Sequence, residues 1–141
     1  MSVRLGLLAW ALAAASSFAQ AADAPELLLS IDSGQPMSQG AALALATQAQ
    51  QQGAKVRVLL CDAGGDLALA GREMPALKPR NVTPQQMLQG LIKGGAKVEV
   101  CALYLPNTGR APTELIEGVT PAQPADVAAY LLKPGVRTLA Y

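Results

Sequence analysis

Gly95-Ala96-Lys97-Val98-Glu99-Val100-Cys101-Ala102-Leu103-Tyr104 is the stretch on which the reading of this chain turns. A glycine able to end a helix leads into a run that alternates valine with charge. That period of two predicts a strand, with a thiol near its carboxyl end. In open parallel α/β sheets, ligands gather just beyond the carboxyl ends of the strands. Cys101 is one of two cysteines, and the chain has no histidine. Cys101 is therefore the candidate functional residue.

The same corner occurs upstream. Gly53-Ala54-Lys55-Val56 opens the run Lys55-Val56-Arg57-Val58-Leu59-Leu60-Cys61 as Gly95-Ala96-Lys97-Val98 opens the other. In both runs the cysteine falls on the alternating set that carries charge, with Arg57 before Cys61 and Glu99 before Cys101. The valines form the second set. A helix pattern precedes each corner. Pro36 to about Gln52 is rich in alanine and glutamine, both good helix formers. Thr83-Pro84-Gln85-Gln86 has an N-cap threonine, a proline at the first helical position and a glutamine placed for a capping box. Met87, Leu88, Leu91 and Ile92 follow as one apolar stripe.

Working outward, Glu26 to Ile31 predicts a buried first strand and Val136 to Tyr141 a last one. Asp62 to Arg80 is expected as a long loop, with Gly64-Gly65 as ordinary turn chemistry, because a phosphate loop would need a lysine. Pro106-Asn107-Thr108-Gly109 predicts a turn and Pro112 to Glu117 a brief helix. Thr120-Pro121 or Gln123-Pro124 opens a last helix, with Val127, Tyr130 and Leu131 expected to face inward. Strands alternating with helices imply a parallel sheet with helices on both faces, a small three-layer α/β domain.

The first residues read differently. Arg4 gives a short positive region, Leu5 to Ala15 is an apolar run, and Ala19-Gln20-Ala21 fits the small-x-small cleavage rule. The expectation is a cleavable signal peptide over 1–21, a single domain over 22–141, a periplasmic location and no membrane association once the peptide is removed. Of the eleven basic residues only Arg4 is lost, leaving ten against ten acidic ones. The aromatics that remain are Tyr104, Tyr130 and Tyr141. A neutral, aromatic-poor domain lacks the basic field and stacking platforms of nucleic-acid binding. Two cysteines without histidine make no tetrahedral zinc site, and no Ser-His-Asp or Cys-His catalysis is available within one chain. No metal or cofactor is expected.

From about Glu26 to Tyr141 the chain resembles the DsrE/DsrF-like sulfur-relay family, in its exported branch. The resemblance is carried by Gly95-Ala96-Lys97-Val98-Glu99-Val100-Cys101, a loop with Gly109, Leu115-Ile116-Glu117-Gly118-Val119, the Pro124-Ala125-Asp126-Val127-Ala128 helix and the terminal strand. It implies a flavodoxin-like layered fold assembling as trimers or hexamers. It also implies a cysteine, by position Cys101, that carries sulfur as a persulfide between donor and acceptor proteins.

Two readings of Cys101 stay open: a persulfide or thiol carrier, and a structural cysteine in a non-enzymatic binding or assembly module. A thiol oxidoreductase is not supported, since there is no Cys-x-x-Cys pair. Arg80, Arg110 and amides at a nearby helix start are the candidates for activating a thiolate at Cys101. Asp62, next to Cys61, is expected to raise that thiol's pKa. The 2-1-3-4 strand order common in flavodoxin-like sheets would put the first strand between the two cysteines. They would then lie about 9–10 Å apart at the usual strand spacing, beyond the reach of a disulfide.

Overall fold

The computed structural model describes residues 23–141; the signal-peptide expectation lies outside the described residues, as does Ala22. Five strands form one parallel sheet: β1 (Glu26–Ile31), β2 (Lys55–Leu60), β3 (Lys97–Val100), β4 (Val119–Pro121) and β5 (Val136–Ala140). Between them lie α1 (Pro36–Gln51), α2 (Pro84–Lys93), the short α3 (Tyr104–Thr108) and α4 (Pro124–Leu131). This is the expected flavodoxin-like α/β arrangement. The helices form where their ends are marked. Thr83 Oγ1 accepts from the Gln86 amide while Gln86 reaches back to the Thr83 amide, so the capping box is complete.

The repeated corner is one motif used twice. Gly53 and Gly95 have φ of +91° and +92°, a conformation glycine adopts without a Cβ penalty. Behind them Ala54 N–H donates to the Ala49 carbonyl and Ala96 N–H to the Leu91 carbonyl, each at 3.0 Å. Gly53 and Gly95 donate to Gln50 and Ile92. This pair of bonds is the Schellman ending, which satisfies carbonyls that the last turn would leave open. Each helix is thereby turned sharply into the strand that follows.

The strand order is β4-β3-β2-β1-β5, which corrects the expected 2-1-3-4. After β2 the chain does not double back past β1 but continues in the same direction to β3. Right-handed crossovers then keep α1 and α2 on one face, where Gln50 Nε2 donates to the Leu91 carbonyl at 3.1 Å. The apolar sets meet those helices: Leu29, Ile31, Val58, Leu60, Val98 and Val100 pack with Leu43, Ala46, Leu88 and Leu91 in one core. From β4 the chain returns over the opposite face through α4 and adds β5 beyond β1. That face holds the charged set, Arg57 and Glu99.

Several local expectations change. β3 ends at Val100, and Tyr104 belongs to α3, which Gly109 closes at φ +65°. The turn expected at Pro106–Gly109 is thus mostly helix. The brief helix expected over Pro112 to Glu117 is a 3-10 turn of Pro112–Glu114. β4 was not anticipated: it is three residues long and contains a proline, so it carries no periodic signal. Gln123-Pro124 opens α4, and Val127 is buried, Tyr130 half-buried and Leu131 47% exposed, so Leu131 does not face inward.

Candidate functional site

The segment after β2 is not all loop. Asp62–Ala68 forms a 3-10 turn with Cys61 as its N-cap. Its glycines are there for contact and not only for turning. A Cβ on Gly64 would come within 2.0 Å of the Ile31 carbonyl oxygen, and one on Gly65 within 2.4 Å of the Tyr104 ring. The turn is therefore pressed against the carboxyl end of β1 on one side and against α3 on the other. Gly64 N–H donates to the Asp32 carbonyl at 3.1 Å, and Tyr104 Oη donates to Asp66 Oδ1 at 2.6 Å. Arg72 holds the other Asp66 oxygen at 2.7 Å. Asp62 takes a positive φ of 46°, which is uncommon for a residue with a side chain.

These contacts form a rim along the carboxyl edge of the sheet, and both cysteines stand on it. The paired register of β2 and β3 ends at Leu60 opposite Val100. Cys61 and Cys101 are the next residue on each strand. The ladder continues past the register, with Cys101 N–H donating to the Leu60 carbonyl at 2.7 Å and Cys61 N–H to the Ile31 carbonyl at 3.0 Å. Cys61 is still extended, with φ −123° and ψ 163°. Two residues in register on parallel neighbours point to the same side of the sheet, so the thiols lie side by side, close enough for the Cys101 side chain to act on the Cys61 thiol. Both are free and half-buried.

The expectation that β1 would separate them is overturned with the strand order: β2 and β3 are direct neighbours. The distance argument against a bridge falls with it. At the ordinary spacing of neighbouring strands the two Cα atoms are about 4.8 Å apart, inside the range that a disulfide spans.

The two thiols have unlike surroundings. Burial pushes the Cys61 thiol up, and the adjoining Cys101 side chain and the Asp32 and Asp62 carboxylates add to it, bringing it to about 12. The direction is the expected one, but the first cause is burial and Asp62 comes last. Of the cationic helpers expected near Cys101, Arg110 is paired with Glu114 at 3.0 Å. Arg80 lines a cleft between α1 and α2 with Thr47, Gln51 and Gln86. Tyr104 is raised above the ordinary tyrosine range, first by burial and then by its hydrogen bond to Asp66, while the nearby Arg110 acts on its hydroxyl in the lowering direction.

Sequence reasoning missed the pairing of Cys61 with Cys101. They lie forty positions apart in the chain, and the signal that brings them together is inter-strand register, which no local motif displays. Among the described residues no cluster of three metal-ligating side chains occurs, and no helix is long and apolar enough to cross a membrane.

No family model and no curated protein matches the chain by sequence. Solved structures do match it. The ychN protein from E. coli superposes with a TM-score of 0.69 at 21% identity, over 84% of this chain and 99% of that one. MTH1491 from Methanobacterium thermoautotrophicum, a protein of unknown function, gives 0.62 at 15% identity, over 83% and 99%. At these identities the likeness is one of architecture: the chain has the flavodoxin-like, DsrE-like α/β fold.

Proposed function

We propose that this chain is a periplasmic sulfur-handling protein in which Cys101 carries sulfur as a persulfide to a partner protein. The observation that carries the proposal is the position of Cys101. It is a free, half-buried thiol one residue beyond a central parallel strand, on the edge where such sheets present their chemistry. The DsrE-like fold and the resemblance in the Gly95–Val119 segment support the same role. Export is inferred from residues 1–21, and self-association as trimers or hexamers from the resemblance.

Mass spectrometry of protein recovered from the periplasm tests the proposal. The expected chain begins at Ala22 and gains one sulfur on Cys101 after exposure to a sulfane-sulfur donor, and Cys101→Ser gains none. A persulfide confined to Cys61 would sink the carrier role of Cys101.

The second reading, a binding or assembly module with Cys101 structural, draws on a different observation: Cys101 also packs partly against the hydrophobic core. It predicts that Cys101 resists alkylation until the protein is denatured. The carrier reading predicts alkylation of the native protein at neutral pH, because the thiolate is the reacting form and needs access.

A further inference from the structure

We propose that Cys61 and Cys101 act together as a dithiol that exchanges with disulfides, forming and releasing a bond between β2 and β3. Neither residue is a lone thiol. Each stands one step past the same register pair, Leu60 opposite Val100, with its ladder hydrogen bond in place. Neighbouring strands hold the Cα atoms about 4.8 Å apart, within the Cα range that disulfides span. Cys61 is fixed as the N-cap of a turn wedged against β1 by Gly64 and against Tyr104 by Gly65. On the other strand, α3 starts three residues after Cys101, with Tyr104 N–H donating to the Cys101 carbonyl at 2.9 Å. The backbone on both sides is set before any oxidant arrives.

The exchange has two steps. The Cys101 thiolate attacks one sulfur of a disulfide RS–SR; that bond breaks and RS⁻ leaves with the electron pair and takes up a proton. Cys61 then attacks the mixed disulfide Cys101–S–S–R at the Cys101 sulfur, its proton passing to the leaving sulfur, so that the second thiol departs as RSH. The sum is two protein thiols and RS–SR giving one protein disulfide and two RSH. The protein is oxidised by two electrons and the small disulfide is reduced. Cys101 is the entry thiol: in the reduced protein burial, then the adjoining Cys101 side chain, then the Asp32 and Asp62 carboxylates hold the Cys61 thiol protonated, and the Cys101 part of that hold ends once Cys101 is in the mixed disulfide. Cys61 attacks once the sulfur is already beside it. The substrate class is a disulfide of a small thiol, and the inference does not depend on sulfur carriage.

The purified chain, fully reduced and native, is incubated with oxidised glutathione, quenched with acid, alkylated and mapped without reduction. The expected product is a peptide linking Cys61 to Cys101, lighter than its reduced parts by two hydrogens and reopened by excess reduced glutathione. Cys61→Ser should stop at a glutathione adduct on Cys101, and Cys101→Ser should react at least tenfold more slowly. A lasting glutathione adduct in the parent chain, or a linkage formed only in denaturant, would overturn the inference. Cys61→Ala repeats the measurement should the serine variant fold poorly. Persulfide formation on the Cys61→Ser variant reports on sulfur carriage separately, since that variant keeps the carrier thiol and lacks the resolving one.

Discussion

At the scale of single residues, the rim around the cysteines depends on side chains that are small where backbone must approach and polar where a carboxylate is half-buried. Gly64 and Gly90 separate the two roles of glycine. A Cβ at 64 would meet the Ile31 backbone at 2.0 Å, whereas one at 90, inside α2, meets nothing within 4 Å. Gly64→Ala should destabilise by about 2–3 kcal/mol, as overpacking does, while Gly90→Ala should stabilise by about 0.5–1 kcal/mol by restricting the unfolded chain. Denaturant midpoints of the two variants read this directly. Equal shifts would mean that the close contact at 64 carries no energy.

Tyr104 supplies a pH dependence. Its folded pKa lies above the ordinary value, so the neutral hydroxyl is the form that the fold stabilises. That contribution is complete below the unfolded tyrosine pKa of about 10 and is lost as pH rises from there through the folded value. Tyr104→Phe removes the donor to Asp66 and should cost about 1–2 kcal/mol at neutral pH. It should also flatten the alkaline fall in stability. Tyr130, raised by burial and by Glu26, and Cys61, raised by burial, leave a remainder. Unfolding free energies measured from pH 8 to 11 for both chains check the slope.

At the scale of elements, most of the helices and strands were legible because their signals are local. The capping box at Thr83, the alternation in Lys97–Val100 and the two glycine corners each act within a few residues of chain, and each forms as read. Strand order was not legible. Both 2-1-3-4 and the observed order satisfy right-handed crossovers, and no local pattern chooses between them. The faces did hold a clue. Arg57 and Glu99 lie on the same side of their strands, and when β2 and β3 are neighbours they meet as an ion pair at 2.7 Å.

That pair also fixes α4. Arg57 is 6% and Glu99 3% exposed; Arg57 Nη1 donates to the Asp126 carbonyl at 3.3 Å, and the guanidinium lies 5.0 Å from the Tyr130 ring centroid. Lys97 holds the other Glu99 oxygen at 2.9 Å, while Arg57 Nη2 has no partner among the described residues. Removing one member leaves a buried charge alone, so Glu99→Leu should cost about 3–5 kcal/mol. Replacing both, as Arg57→Met with Glu99→Leu, should come within about 1 kcal/mol of the parent. A double-mutant cycle measures the coupling, and an additive result would mean that the two charges do not depend on one another.

At the scale of the whole molecule, the sheet is covered unevenly. Parallel sheets are normally buried on both faces, yet β5 is one of the two edge strands and four of its five residues are exposed. Leu139 on β5 is 37% exposed and Leu45 on α1 is 49% exposed. Together with Leu27 and Ala49 they line an open cleft of about 760 Å³. A formally neutral domain has little long-range repulsion to keep copies apart, and a second copy of the chain would cover this apolar face. Self-association through this face predicts a mass of several subunits when residues 22–141 are examined by light scattering at micromolar concentration, and the resemblance to the DsrE/DsrF-like family implies three or six. Leu45→Glu combined with Leu139→Glu places two charges on the face without touching the buried core, and should lower that mass towards one subunit while leaving the far-ultraviolet circular dichroism unchanged. A parent chain that elutes and scatters as a monomer would remove self-association altogether. A multimer whose mass ignores the double substitution would exclude the α1–β5 face as the contact.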